Sequence, residues 1–456
     1  MPITVAGREG HPPPGERRSL GGRLWSRIGE VAQGLAGETP AATEPVPAQP
    51  PEAVLELLRT LGIALSRAGE PADSVTQILD EVAAMYAATG VTFFVVPTGL
   101  FVRIDLGTTS RVDFKTGGAI PMRLDQVDAL YRLVDDIRHA TVDVDTARSR
   151  LDELLTAPPR FGPVAAVLGS GILTLGLGMM LNPTVAAMPA FVLLGFLTGW
   201  MRWAADRDSM LSLLLPVATA FVVTWVVFAW VAPLLKTPPL EIVIPALVTF
   251  LPGAALTMGT VELSTGDMLA GSARLVYGLE RLLLLTFGIA MGAQLAGVPP
   301  VSGEPTRALG GWAPWVGVLV FGLGQYIASS APRGTFRWLL LVLYVAYAVQ
   351  VVSGRTLGSL GASFVAAAVV LPVCYAIQAR KSGPPVPVTF LPAFWLLVPG
   401  ALGLQGVAQI LGADQAAGLG DFLNALMSVV AIAVGVLVGS GVSERIGRAT
   451  SSWRGI

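Results

Sequence analysis

Apolar runs of membrane-spanning length recur from Phe161 to Val442, whereas the residues before Phe161 mix apolar and charged positions at short period. A helix that crosses a bilayer needs about 20 predominantly apolar residues. The stretch from Phe161 to Leu181 supplies them without one ionisable side chain. Reading on at this period places spans near 161–181, 184–201, 209–232, 239–258, 275–296, 312–330, 336–353, 356–378, 388–411 and 420–442. The expected fold is a polytopic α-helical membrane protein with about ten transmembrane helices.

The polar amino-terminal third reads differently. Val54, Leu55, Leu58, Leu61, Ile63 and Leu65 recur at helical spacing, and Ala68-Gly69-Glu70-Pro71 ends that helix. A second helix is expected from about Ala72 to Ala88, with Glu70 and Asp73 capping its start and offsetting its dipole. Thr92–Val96, Gly99–Asp105 and Thr109–Lys115, rich in Val, Phe, Ile and Thr, predict short strands in a meander. Two more helices, near 124–140 and 144–155, lead to Pro158-Pro159. Residues 51–157 are therefore expected to form a small α+β domain. Residues 1–50, with few clustered apolar groups, are expected to be a disordered tail without a cleaved export signal. Residues 444–456 form a second tail.

Charge placement orients the spans. With the amino terminus inside, Arg160, Arg202, Arg207, Arg274, Arg333, Arg337, Arg380, Lys381, Arg445 and Arg448 fall on one side. Only Lys236, Arg307 and Arg355 fall on the other, as the positive-inside rule requires. The α+β domain and both termini are thus expected in the cytoplasm. A composition of 53% hydrophobic and 13% charged residues argues against a wholly soluble chain. Net charge of -1 gives no reason to expect a nucleic-acid partner. The single cysteine, Cys374, permits neither an intrachain disulfide nor a thiolate metal cluster. No catalytic constellation, metal-ligand spacing, cofactor motif or phosphate loop is present, and His139 reads as a solvated side chain on a charged helix.

The fourth and ninth spans carry internal Pro and Gly. Val248 to Pro252 and Val388 to Pro392 are the same five residues, followed in the first case by Gly253 and in the second, further on, by Pro399-Gly400. Two halves of five spans, residues 158–298 and 299–443, must enter the bilayer from opposite sides, which makes them inverted repeats. In such architectures paired broken helices expose backbone groups to a substrate near the midplane. Pro252, Gly253, Pro399 and Gly400 are the expected substrate-binding positions, with Thr257 and Gln405 as nearby polar contacts. Gln294, Gln325 and Asn424 are further polar side chains to test. After the first break, Glu262, Asp267 and Arg274 lie close to an apolar span. The carboxylates read either as proton carriers at membrane depth, with Arg274 as an interfacial or gating residue, or as ordinary charges on an interfacial helix.

These features together resemble the bacterial threonine/serine exporter family. The matching residues are Ser66-Arg67-Ala68-Gly69-Glu70-Pro71-Ala72-Asp73-Ser74-Val75, Val96-Pro97-Thr98-Gly99-Leu100-Phe101, and Pro252 to Leu263 continuing through Gly266-Asp267, Gly271, Ala273 and Arg274. Val398-Pro399-Gly400 resembles the corresponding site of the carboxy-terminal half. The resemblance implies a secondary transporter in the bacterial inner membrane that exports L-threonine and L-serine, energised by protons, with the lipid bilayer as its setting. Met258 stands where the family pattern often has Asn, and Pro71-Ala72 where it has an aromatic or Thr-Tyr pair. Alternatives from other classes are a channel or sensor, or a membrane-tethered hydrolase in the amino-terminal domain. A homo-oligomer is one further arrangement open to such a chain.

Overall fold

The computed structural model describes residues 51–105, 110–117, 121–181, 184–205, 210–297, 308–380, 382–397 and 415–454. The α+β part opens with α1 (Pro51–Arg67) and α2 (Ala72–Met85), then β1 (Val91–Val96), β2 (Gly99–Asp105) and β3 (Ser110–Thr116). It closes with α3 (Leu124–Arg138) and α4 (Val144–Thr156). The strands form an antiparallel meander in the order β1-β2-β3, with Phe94 opposite Phe101 and Phe101 opposite Phe114. Period-two alternation decides which residues point inward. Val95, Leu100 and Val102 are buried, and Phe94, Phe101 and Phe114 stack on the exposed face. Leu57, Leu61, Val75, Leu79, Leu130 and Leu151, from the four helices, complete the core. Two residues from far along the chain, Ala270 and Val388, belong to the same core.

Downstream lie α5 (Pro163–Leu181), α6 (Met188–Ala204) and α7 (Met210–Val226), the last continued by a π turn (Val227–Val231) and one α turn (Ala232–Leu235). They are followed by α8 (Pro239–Leu247), α9 (Gly253–Thr265), α10 (Met268–Ala296), α11 (Ala313–Ala328), α12 (Phe336–Gln378), α13 (Val386–Leu397) and α14 (Gln415–Arg454). Among the described residues, six helices are long and apolar enough to cross a membrane. The pair Pro239–Phe250 and Gly253–Thr265, bent by 58°, makes a seventh if it is one span. Helices α11 and α13 are apolar but shorter.

The 43-residue α12 is two helices. A straight helix of that length would run about 65 Å at about 1.5 Å per residue. Yet the Trp338 indole N–H donates to the Ser382 carbonyl at 3.0 Å, and Arg337 donates to the Ser382 hydroxyl at 3.0 Å. The chain therefore turns back on itself. Gly358, at φ 70° and ψ -175°, supplies the turn in a conformation that L side chains rarely adopt. Leu339, Val342, Leu343 and Ala346 of the first limb share one core with Ala366, Val370 and Cys374 of the second.

Helices α5 and α11 approach until backbones touch. A Cβ on Gly176 would stand 2.2 Å from the Phe321 nitrogen, and one on Gly324 would stand 2.2 Å from the Leu173 nitrogen. Glycine is needed at this seam because any side chain would push the helices apart. The seam is pinned at both ends. Arg160 donates to the Tyr326 hydroxyl at 2.6 Å and to the Ala331 carbonyl at 2.7 Å, while Thr184 bridges to Ala308 beyond the other ends. Gly176→Val should lower stability by at least about 1–3 kcal/mol, the usual cost of overpacking. Thermal unfolding of the detergent-solubilised variant checks this, and an unchanged midpoint would show that the seam is not a tight contact.

Candidate functional site

The break between α8 and α9 opens a small cleft, about 70 Å³ in volume. Val248–Phe250 forms a single 3-10 turn, Leu251 is extended, and Pro252 stands at the N-cap of α9. The residue before a proline is driven out of the helical region, and proline itself has no N–H to continue the ladder. Gly253 and Ala254, at the start of α9, line the cleft with Leu251 on one side. Leu177 of α5 and Phe394 and Trp395 of α13 line the others. Among the described residues that line it, none carries a charged side chain. What the wall offers in polarity is backbone: the first-turn amides of a helix have no partner within it and carry its positive end.

The other end of α9 carries the ionisable residues. Glu262 has no exposed surface and receives the Arg274 Nε–H, with Nε at 3.1 Å from one carboxylate oxygen and 2.9 Å from the other. Gly266, at φ 101°, reverses the chain between α9 and α10 and so sets Arg274 beside Glu262. Gly259 and Gly271 let the two helices meet backbone to backbone, since a Cβ on either would stand under 3 Å from the other's carbonyl oxygen.

The third partner of Glu262 comes from the α+β part. The Ala72 backbone N–H donates to Glu262 at 3.2 Å across 190 residues of sequence. Pro71 is the N-cap of α2 and has no side-chain capping bond, so the first-turn amides of α2 need acceptors from elsewhere. Ala72 takes Glu262 at 3.2 Å, and Ser74 takes the Asp73 side chain at 2.8 Å. Two carboxylates thus satisfy two amides at a positive helix end, with the Asp267 carboxylate close by. Arg274 also donates to the Glu70 carbonyl at 3.2 Å, and the Tyr131 hydroxyl donates to the Glu70 carboxylate.

The residues singled out from the sequence fall into two groups. Pro252 and Gly253 lie at the cleft, while Glu262, Asp267 and Arg274 gather at the far end of α9 against α2. Thr257 lies between them on the same helix, 1% exposed, its hydroxyl without a partner among the described residues. Pro399, Gly400 and Gln405 lie outside the described residues. Among the further candidates, Gln325 is buried in α11, whereas Gln294 and Asn424 are exposed. The expectation that Asp73 caps α2 is met only for Ser74. Phe394 and Trp395 as cleft walls, and Tyr131 as a partner of Glu70, had no signal in the sequence beyond apolar or helical spacing.

Burial, and then the neighbouring Asp73 charge, push the Glu70 carboxyl up to about 7 against the opposing pull of Arg274. A carboxyl raised above its ordinary value binds its proton more tightly when docked than when free. Its contribution is complete below the ordinary carboxylate range and is lost as pH rises through about 7. Thermal stability of the intact chain should therefore fall between about pH 5 and about pH 8. Glu70→Gln should flatten that part of the profile, and an unaltered slope in this variant would show that Glu70 is not the group responsible.

Comparison with known proteins agrees with this arrangement of apolar helices. Residues 56–296 match the family model described as a putative threonine/serine exporter, and residues 315–442 match a second, described as Threonine/Serine exporter, ThrE. Pheromone-regulated membrane protein 10 of Debaryomyces hansenii is 27% identical over 192 residues, covering 39% of this chain and 18% of that protein. The protein of the same name in Candida albicans is 25% identical over 182 residues, covering 39% and 16%. An uncharacterized protein of Schizosaccharomyces pombe is 28% identical over 182 residues, covering 38% and 24%. This chain thus spans less than a third of the length of these curated relatives. No solved structure matches it. Long apolar helices and membrane-protein relatives make this a multi-pass helical membrane protein. With the two family models covering most of its length, the chain belongs to the threonine/serine exporter family.

Proposed function

We propose that the chain is a secondary transporter that exports L-threonine and L-serine across a bacterial inner membrane, with the cleft at the α8–α9 break as its substrate site. The observation that carries this reading is the juxtaposition of the broken helix with α13: Gly253 and Ala254 line one cleft together with Phe394 and Trp395. The positive end of α9 attracts the carboxylate of an amino acid, an interaction worth about 0.3–1 kcal/mol when exposed and up to ~2 when partly buried. Apolar walls accommodate the short side chain. Thr257, Pro399, Gly400 and Gln405 belong to the same proposed site.

In this reading the chain crosses the bilayer ten times, as two inverted five-helix units with both termini and the α+β part in the cytoplasm. Support comes from the reversal at Gly358, which divides α12 into two limbs, and from the bent α8–α9 pair, which covers one crossing. The turn at Gly266, Ser329 at the end of α11 and Val388 at the start of α13 all touch the α+β part, so alternate loops lie on its side. Those loops carry most of the basic residues. Protons drive export through Asp267 and Glu262, whose carboxylates lie where that side of the membrane meets the α+β part.

Counterflow of labelled threonine and serine in proteoliposomes tests the substrate. Ala254→Leu, which fills the cleft, should reduce counterflow by about ten-fold, equivalent to about 1.4 kcal/mol. Full counterflow in this variant would place the substrate elsewhere. Asp267→Asn should abolish flux driven by an imposed pH gradient while counterflow persists. Gradient-driven flux at the original rate would remove the carboxylate from the coupling.

A further inference from the structure

Two of the short helices that line the cleft, α9 and α13, reach the loop Gly69–Ala72 of the α+β part. Helix α9 runs from Gly253 and Ala254 at the cleft to Glu262, which accepts the Ala72 amide. Helix α13 runs from Phe394 and Trp395 at the cleft back to Leu391, which lies over Gly69, and to Val388, which is 2% exposed within the α+β core. Between these two contacts the Glu70 carbonyl accepts from Arg274. The loop from Gly69 to Ala72 therefore sits as a wedge between the far ends of the two helices. Nine residues separate Gly253 from Glu262, a rise of about 13 Å at about 1.5 Å per residue. Seven separate Val388 from Trp395, about 10 Å.

We propose that the loop Gly69–Ala72 is a clamp on the cleft: while α2 is docked on Glu262 the two helices are held at a fixed separation, and release of α2 lets the cleft widen. The proposal rests on the reading of this cleft as the substrate site only in what it says about transport; the mechanical coupling stands on the contacts alone. Helices of two to three turns pass on a displacement as rigid rods, whereas the packed interface at their ends has discrete docked and undocked arrangements. Three features make docking selective. The amides of α2 demand negative acceptors, Arg274 ties one of those acceptors to the loop carbonyl, and the α9–α10 glycine contact keeps Arg274 in register with Glu262. The clamp also gives the α+β part a role for which a catalytic constellation is not needed.

The test uses the full chain in proteoliposomes with a reporter Ala254→Cys, or Trp395→Cys on the opposite wall, and a membrane-permeant maleimide. The native Cys374 has no exposed surface and stays silent, which also reports that each variant is folded. Arg274→Gln should raise the labelling rate of both reporters on the order of ten-fold, the scale set by loss of a hydrogen bond to a charged group. The exchange Glu262→Arg with Arg274→Glu separates a clamp from a simple ion pair. It keeps the pair but turns a cation toward the α2 amides, so labelling should rise as in Arg274→Gln. Labelling restored to the original rate by the exchange, or unaltered in Arg274→Gln with Cys374 still protected, overturns the clamp. A rise in labelling in a protein that moves neither threonine nor serine upholds the clamp and counts against the exporter reading instead.

Discussion

A carboxylate with no exposed surface persists in a folded chain only if its charge is met from several sides, and Glu262 is met from two distant parts of this sequence. Losing one partner of such a buried pair typically costs about 3–5 kcal/mol, because the remaining charge is stranded away from water. Arg274, twelve residues on, supplies the opposite charge, and the amide of Ala72 supplies a directed donor. The arrangement satisfies needs on both sides at once. Helix α2, begun by a proline that caps nothing, has the amides of Ala72 and Ser74 paired, and helix α9 has its acidic end neutralised. The position of α9, and with it the cleft wall at Gly253, follows from that mutual requirement.

Much of the architecture could be read from residue periodicity. The helices and strands of the α+β part lie within a few residues of their expected bounds, because alternation and helical spacing there are set by one shared core. The apolar runs located the long helices for the same reason. The broken fourth run was legible in Pro252-Gly253, a pair that cannot continue a helix ladder.

The partners of the charges were not legible. Glu262, Asp267 and Arg274 were visible as costly groups beside an apolar segment, but sequence does not say which backbone donors a carboxylate will meet. The amide that Glu262 accepts belongs to Ala72, a residue without polar side-chain chemistry, and Glu70 finds its hydroxyl donor in Tyr131 on another helix. The repeated pentapeptide was also an uneven guide. Val248 to Pro252 forms a 3-10 turn and a break, whereas Val388 to Pro392 lies inside α13. Phe390, Ala393 and Phe394 are buried around the second proline, and that packing holds a helical turn which local preference alone would not.

The seam between α5 and α11 joins one helix from each of the two family-model segments, and it does so with glycines and main chain. Such a contact is indifferent to the identity of nearly every neighbouring side chain. Substitution around it can alter pockets, loops and surface without loosening the axis that unites the two segments, provided a handful of positions remain hydrogen-sided. It also forbids sliding, since interlocked backbones have no rotamers to rearrange. The seam therefore fixes the two segments against each other by main-chain contact rather than by side-chain fit.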